Sequence, residues 1–178
     1  MKIVQGNLID LANQGHFDVI THGCNCFCTM GAGIAVDMRI HFDCDKFPME
    51  APQYKGDMNK LGTIDYQIKV LVLHKPIKVG NLNLLAPDFG GFPLAVVNSY
   101  TQYHYGSNHP DGKRKPVDYD AITLCMRKIN HIFKGKSFGL PKIGCGLARG
   151  DWNTVQQIIR QELIDMDVTV VEFNTKNF

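Results

Sequence analysis

No stretch of this 178-residue chain approaches the ~20 consecutive apolar residues that a membrane-spanning helix needs. No membrane role is expected. Charge of one sign is also missing. The 19 Lys and Arg against 17 Asp and Glu leave a net charge of +2, too little to hold a polyanion by long-range attraction. The one basic cluster, Lys113-Arg114-Lys115, lies among Gly, Pro and Asp and reads as a solvated loop. There is no leader pattern: Met1-Lys2-Ile3-Val4-Gln5 reads directly as a strand, so an intracellular, cytoplasmic protein is expected. No internal repeat and no low-complexity tail interrupts what reads as a single domain over residues 1–178. The six cysteines (Cys24, Cys26, Cys28, Cys44, Cys125 and Cys145) are then expected as free thiols. Cys24, Cys26 and Cys28 are spaced more tightly than the paired ligands of structural zinc, and no second pair follows. Neither a metal nor a cofactor is expected.

What the sequence has is alternation. Residues 2–5 read as a strand, Leu8 to Asn13 as a helix, and the apolar run Phe17 to Thr21 as a buried parallel strand. Ile34, Met38 and Phe42 recur on one helical face, with Phe47-Pro48 as the stop. Leu61 to Ile68, Val70 to Leu73 and Leu94 to Asn98 read as strands. Tyr119, Ile122, Cys125, Ile129 and Ile132 repeat every three or four residues, a helix that Gly135 ends. Trp152, Val155, Ile159 and Leu163 mark the last helix and Asp167 to Phe173 the last strand. Between them lie a Pro/Gly-rich stretch at 74–93, either a long loop or an inserted hairpin, and a polar loop at 103–116. Such alternation predicts an α/β fold on a mixed, largely parallel sheet.

Two glycine-rich turns carry the functional signal. Met30-Gly31-Ala32-Gly33-Ile34-Ala35 follows the strand ending near His22, and Gly144-Cys145-Gly146-Leu147-Ala148-Arg149-Gly150-Asp151 follows Phe138-Gly139-Leu140. Each passes from strand to helix, the arrangement that offers backbone N–H groups and a helix N-terminus to an anion. In parallel sheets ligands lie beyond the carboxyl ends of the strands, so both turns are expected to line one cleft suited to a pyrophosphate. Neither is a Walker A loop, since no Gly-Lys-Ser/Thr follows. Val36 also occupies the place where a dinucleotide fingerprint needs a third small residue.

Several blocks in order resemble the macrodomain family, which binds ADP-ribose. They are Val4-Gln5-Gly6-Asn7-Leu8-Ile9, Ile20-Thr21-His22-Gly23-Cys24-Asn25 with Met30 to Ala35, Leu140-Pro141-Lys142-Ile143-Gly144-Cys145-Gly146-Leu147 with Asp151-Trp152, and Val168 to Phe173. The resemblance implies a three-layer α/β/α fold. It points to the branch holding terminal ADP-ribose glycohydrolases, DNA ADP-ribosyl glycohydrolase antitoxins and ADP-ribose 1″-phosphate phosphatases, with the phosphatases nearest in pattern. By that resemblance the partner is ADP-ribose or its 1″-phosphate, with ADP-ribosylated macromolecules as a further class, bound by a monomer. Met30, Gly31, Ala32, Gly33, Ile34 and Ala35 would cradle the distal ribose and neighbouring phosphate. Ile143, Gly144, Cys145, Gly146, Leu147 and Ala148 would wrap the pyrophosphate, with Asp151 read first as a helix cap. Asn25 would hydrogen-bond the distal ribose, Asn7 and Leu8 would meet the adenine side, Phe173 or Asn174 the adenine itself, and Thr101 and Gln102 the far end of the cleft.

Catalysis is where the resemblance departs. Gln102 stands where protein-directed glycohydrolases of this branch have a lysine, and Ala148 where they have an aspartate; neither can do acid–base or Schiff-base chemistry. His22 remains, with Asn25, as the catalytic expectation: an imidazole titrating near neutrality at the cleft could orient water for hydrolysis of the 1″-phosphate. A glycohydrolase using other residues and a non-catalytic ADP-ribose reader are the alternatives. His104 and His109 lie in the polar loop that could close over the site.

Overall fold

The computed structural model describes residues 1–47, 55–79, 82–87, 90–106 and 115–173. Its main sheet joins β1 (Lys2–Gln5), β2 (Val19–Asn25), β3 (Ile64–Leu71), β6 (Phe92–Gln102), β7 (Ser137–Leu140) and β8 (Asp167–Glu172) in the order β1-β8-β7-β2-β6-β3. Every pairing is parallel except that of β3 with β6. β2 and β6 are central and buried along almost their whole length, which is why they read as continuous apolar runs.

Helices α1 (Leu8–Asn13) and α2 (Ile34–Phe42) cover one face, where Ile20, Leu94, Val96, Met38 and Phe42 form one core. Helices α3 (Tyr119–Ile132) and α4 (Trp152–Glu162) cover the other, packing Ile122, Ile129, Val155 and Ile159 on Val97, Phe138, Leu140 and Val170. The expected three-layer α/β/α arrangement on a mixed, largely parallel sheet is what is observed. Truncating a fully buried residue such as Ile129 to Ala would cost about 2–5 kcal/mol.

Several boundaries differ from the sequence reading. β2 starts at Val19 and runs on through His22 to Asn25, because polar residues can sit in a strand whose faces are both covered. The helix expected to stop at Phe47-Pro48 ends at Phe42, where Asp43 turns left-handed at φ 51° and a short 3-10 turn, Cys44–Lys46, follows. The two strands expected at 61–68 and 70–73 are one, Ile64–Leu71, because Lys69 lies within the β6 pairing. The run expected at 94–98 extends to Phe92–Gln102, its polar end carried by pairing with β2 and β3. The 74–93 stretch contains a hairpin of β4 (His74–Val79) and β5 (Leu82–Pro87), which pair with each other in a separate sheet.

Because β1, β8, β7, β2 and β6 run parallel, their carboxyl ends share one rim. Asn7, the 26–33 segment, the segment after Gln102, the 141–151 segment and Phe173 all emerge there.

Candidate ligand-binding site

The two glycine turns meet on this rim. A Cβ built on Gly33 would lie 3.7 Å from Leu147 Cδ1, across more than a hundred residues of chain. Gly33 has φ 60° and ψ −155°, a conformation essentially confined to glycine. It is the N-cap of α2 and supplies no side-chain hydrogen bond. The N–H groups of Ile34 and Ala35 open that helix and have no intrahelical acceptor. Among the described residues those two N–H groups, and those of Gly31, Ala32 and Gly33, donate to nothing. In the second turn the same is true of Gly146, Leu147 and Ala148. Gly31, Ala32, Gly33, Gly146 and Leu147 are exposed. The rim therefore presents two sets of backbone donors side by side, on exposed turns.

Asn25 holds the first turn together. Its Oδ1 accepts from Phe27 N at 3.0 Å and Thr29 N at 3.2 Å, and its Nδ2 donates to Thr29 O at 2.9 Å. One amide proton of the side chain is left for a ligand. Met30 is buried beneath the turn, its sulfur 3.5 Å from the Cys44 thiol. The second turn is braced by its own backbone, with Cys145 N on Lys142 O at 3.1 Å, Arg149 N on Gly146 O at 3.0 Å and Gly150 N on Gly144 O at 2.8 Å. It is also tied to the start of α3 through Val117 N to Ala148 O at 3.2 Å and Asp151 N to the Tyr119 hydroxyl at 2.9 Å. Asp151 caps α4, accepting from Thr154 N at 2.8 Å. Those bonds hold its carboxyl below the ordinary carboxylate range, and they fill the helix terminus that an anion would otherwise use.

The remaining expected site residues divide by burial. Asn7 caps α1, its Oδ1 accepting from Ile9 N at 2.8 Å, so its acceptor is already engaged in the helix. Leu8, Ile143 and Ala148 point their side chains into the two cores and can offer only backbone. Gln102 is half-buried and donates to His104 O at 2.9 Å. Thr101 is buried with a hydroxyl that has no hydrogen-bond partner among the described residues, facing β2 at Gly23. Phe173 is exposed at the rim, and Asn174 and His109 lie outside the described residues. Burial raises the Cys145 thiol above its ordinary value, with the Asp151 carboxylate as a second cause. That leaves Cys145 a poor nucleophile at neutral pH.

His22 differs most from its expected placement. The side chain is completely buried on the α2 side of the sheet, its Nε2 2.9 Å from Asn98 Oδ1 and 3.6 Å from the sulfurs of both Cys24 and Cys44. Burial pushes its pKa down to about 4, against the opposing effect of the Asn98 hydrogen bond. It is a neutral core imidazole, three residues short of the carboxyl end of β2 at Asn25, and it brings no acid–base group to the rim. Asn98, its partner, passed unnoticed because nothing local in the sequence couples residues 22 and 98; only the parallel register does.

A cluster of rings beside the first turn was also missed. Phe27 meets Tyr103 edge-on at 5.5 Å and His104 at 4.8 Å, and His104 stacks on Tyr105 at 4.4 Å. The signal was the Tyr103-His104-Tyr105 triplet within an otherwise polar loop.

The comparisons with known proteins bear on the fold. No family profile matches the chain. Among solved structures, the macrodomain of Mycobacterium tuberculosis DarG superposes with a TM-score of 0.58 at 18% identity over 96% of this chain and 95% of that one. The Trypanosoma brucei macrodomain in complex with ADP-ribose superposes at 0.53 and 15%, over 96% of this chain and 62% of that one. Among curated proteins, the ADP-ribose 1″-phosphate phosphatase of Scheffersomyces stipitis is 22% identical over 96% of this chain and 99% of its own. The chain has the macrodomain fold.

Proposed function

We propose that this protein binds ADP-ribose across the rim, with the diphosphate between the two glycine turns. The observation that carries this reading is the meeting of Gly33 and Leu147, which sets two groups of unengaged N–H donors, one of them the uncapped N-terminus of α2, around a single opening. A diphosphate is the ligand such donors suit: its charge is met at the helix terminus and its oxygens by backbone hydrogen bonds. The complex of the trypanosome macrodomain supports the choice of nucleotide.

For the reaction, likeness to the Scheffersomyces protein supports hydrolysis of ADP-ribose 1″-phosphate to ADP-ribose and phosphate. Phosphoryl transfer depends mainly on positioning and on neutralising charge, which the backbone of the first turn supplies. His22 takes no direct part in this account. The second reading, a binding module without turnover, is favoured by the burial of His22 and by Gln102 and Ala148 in place of ionisable groups. Calorimetry with ADP-ribose tests the shared part, and Gly33→Ala is expected to weaken the heat signal strongly. No binding by the wild type would overturn both readings. Phosphate release from ADP-ribose 1″-phosphate separates them: turnover retained in His22→Gln supports the phosphatase as described, and binding without turnover leaves the binding module.

A further inference from the structure

Below the first turn lies a group of side chains that nucleotide binding does not use. Lys60 closes the 3-10 turn Met58–Lys60 just before β3 and is only 8% exposed, unusual for a lysine. Its Nζ donates to Cys28 Sγ at 3.3 Å. The same sulfur lies 3.7 Å from the Tyr100 hydroxyl, which donates to Asp65 Oδ2 at 2.6 Å. Of the six cysteines, Cys24, Cys26, Cys44 and Cys125 are buried, whereas Cys28 and Cys145 are half-buried, which leaves Cys28 open to a small reagent. Its backbone is held at φ 56° in the segment that the Asn25 amide organises, so the sulfur is fixed in place. Among the described residues, the polar groups in contact with it are an amine and a phenol, with no second thiol among them.

We propose that Cys28 and Lys60 form a reversible oxidative cross-link, a modification site that responds to hydroperoxides. In the first step Cys28 Sγ attacks one oxygen of the peroxide. The O–O bond breaks, the sulfur gains one oxygen as a sulfenic acid, and water leaves. In the second, Lys60 Nζ, having released its ammonium proton to solvent, attacks that sulfur. The S–O bond breaks, a second water leaves, and an N–S bond joins the residues. The sum is thiol, amine and hydrogen peroxide giving a sulfenamide and two waters: sulfur is oxidised by two electrons and the peroxide reduced by two. Two equivalents of an added thiol reverse it, regenerating thiol and amine and leaving a disulfide of the reductant. The cross-link ties the first turn to the segment before β3 without touching the glycine backbone, so it stands apart from the ADP-ribose reading.

The test treats the purified full chain with a few equivalents of hydrogen peroxide, digests it, and maps peptides by mass spectrometry before and after dithiothreitol. A peptide pair joined through residues 28 and 60, lighter by two hydrogens and released by dithiothreitol, is expected. It should be absent from both Cys28→Ser and Lys60→Arg, the latter keeping the charge, and the oxidised wild type should melt above the reduced form. Recovery of Cys28 in a disulfide, as sulfinic or sulfonic acid, or unmodified while other thiols react would overturn the proposal, as would survival of the cross-link in Lys60→Arg.

Discussion

In the turn after β2, a side chain holds the backbone; in the turn after β7, the backbone holds itself. Three hydrogen bonds from Asn25 shape residues 27–29, and the helix that follows begins at a glycine with no cap. The second turn closes through main-chain bonds among Lys142, Cys145, Gly146, Arg149 and Gly150, and its helix is capped by the Asp151 carboxylate. The two turns look alike in sequence, yet only the first leaves a helix N-terminus open. An uncapped terminus forgoes local stability and keeps its donors for a ligand, whereas a capped one contributes stability and repels an anion. The diphosphate charge is therefore expected on the α2 side, with the second turn acting as a wall of neutral N–H groups.

The sharpest way to break this comparison is a pair of alanine variants. Gly33→Ala places a side chain in a glycine-only conformation and is expected to weaken ADP-ribose binding about 100-fold, the loss of two charge-assisted hydrogen bonds at roughly 1.5 kcal/mol each. Gly146→Ala has open space for its methyl and is expected to change affinity by no more than about twofold. Equal losses by calorimetry would mean that the two turns share the charge.

The region beneath the first turn carries its own pH signature. The pKa of His22 is depressed to about 4 in the folded chain from an ordinary value of about 6.5. The folded state therefore binds fewer protons than the unfolded one between these values. Stability is full above pH ~6.5 and falls as pH drops toward ~4, by about 3 kcal/mol in all. Below that it is flat with respect to this residue. His22→Gln should flatten denaturation midpoints across pH 4–6.5; an unchanged slope would show that the imidazole is not the buried neutral group described.

Asp151 tests the capped turn. Its carboxyl lies below the ordinary range because it accepts hydrogen bonds from Thr154. Its contribution is thus present above pH ~4 and lost as the solution is acidified through its folded value. Asp151→Ala should lower Tm by a few degrees while moving ADP-ribose affinity less than about twofold. A large affinity gain or loss would mean that the α4 terminus faces the ligand after all. The smallest effect is expected at Thr101, between the turns. Among the described residues its buried hydroxyl lacks a partner, a state that costs about 1–3 kcal/mol. Thr101→Val should leave Tm equal or slightly raised; a fall in Tm would show that the hydroxyl is satisfied.

Much of the fold was legible in the sequence because its elements are periodic or punctuated. The bounds of α1 were met residue for residue, and α3 and α4 were announced by apolar residues every three or four positions on one face, with Asp151 as the cap of α4; the Asp118 cap of α3 emerged only from the structure. The strand ends were not legible, since the polar residues at the carboxyl ends of β2 and β6, Asn25, Ser99, Thr101 and Gln102, belong to strands only because neighbouring strands pair with them. At the site, the glycines were readable as glycines, and Asn25 as a residue beside them. That its amide is largely engaged in holding its own loop could not be read, nor that Leu8, Ile143 and Ala148 turn inward. His22 was misplaced for the same reason: which face of a buried strand a residue occupies depends on the layers packed against it.

Taken alone, the sequence determined the alternation of strands and helices, the two glycine-rich turns, and the cap at Asp151, all of them matters of residues within a few positions of each other. Only the tertiary structure decided that the turns share one opening, that the α2 terminus is the free one, and that His22 is sealed in the core, because each of these rests on contacts between segments some twenty to well over a hundred residues apart, set by strand register and layer packing.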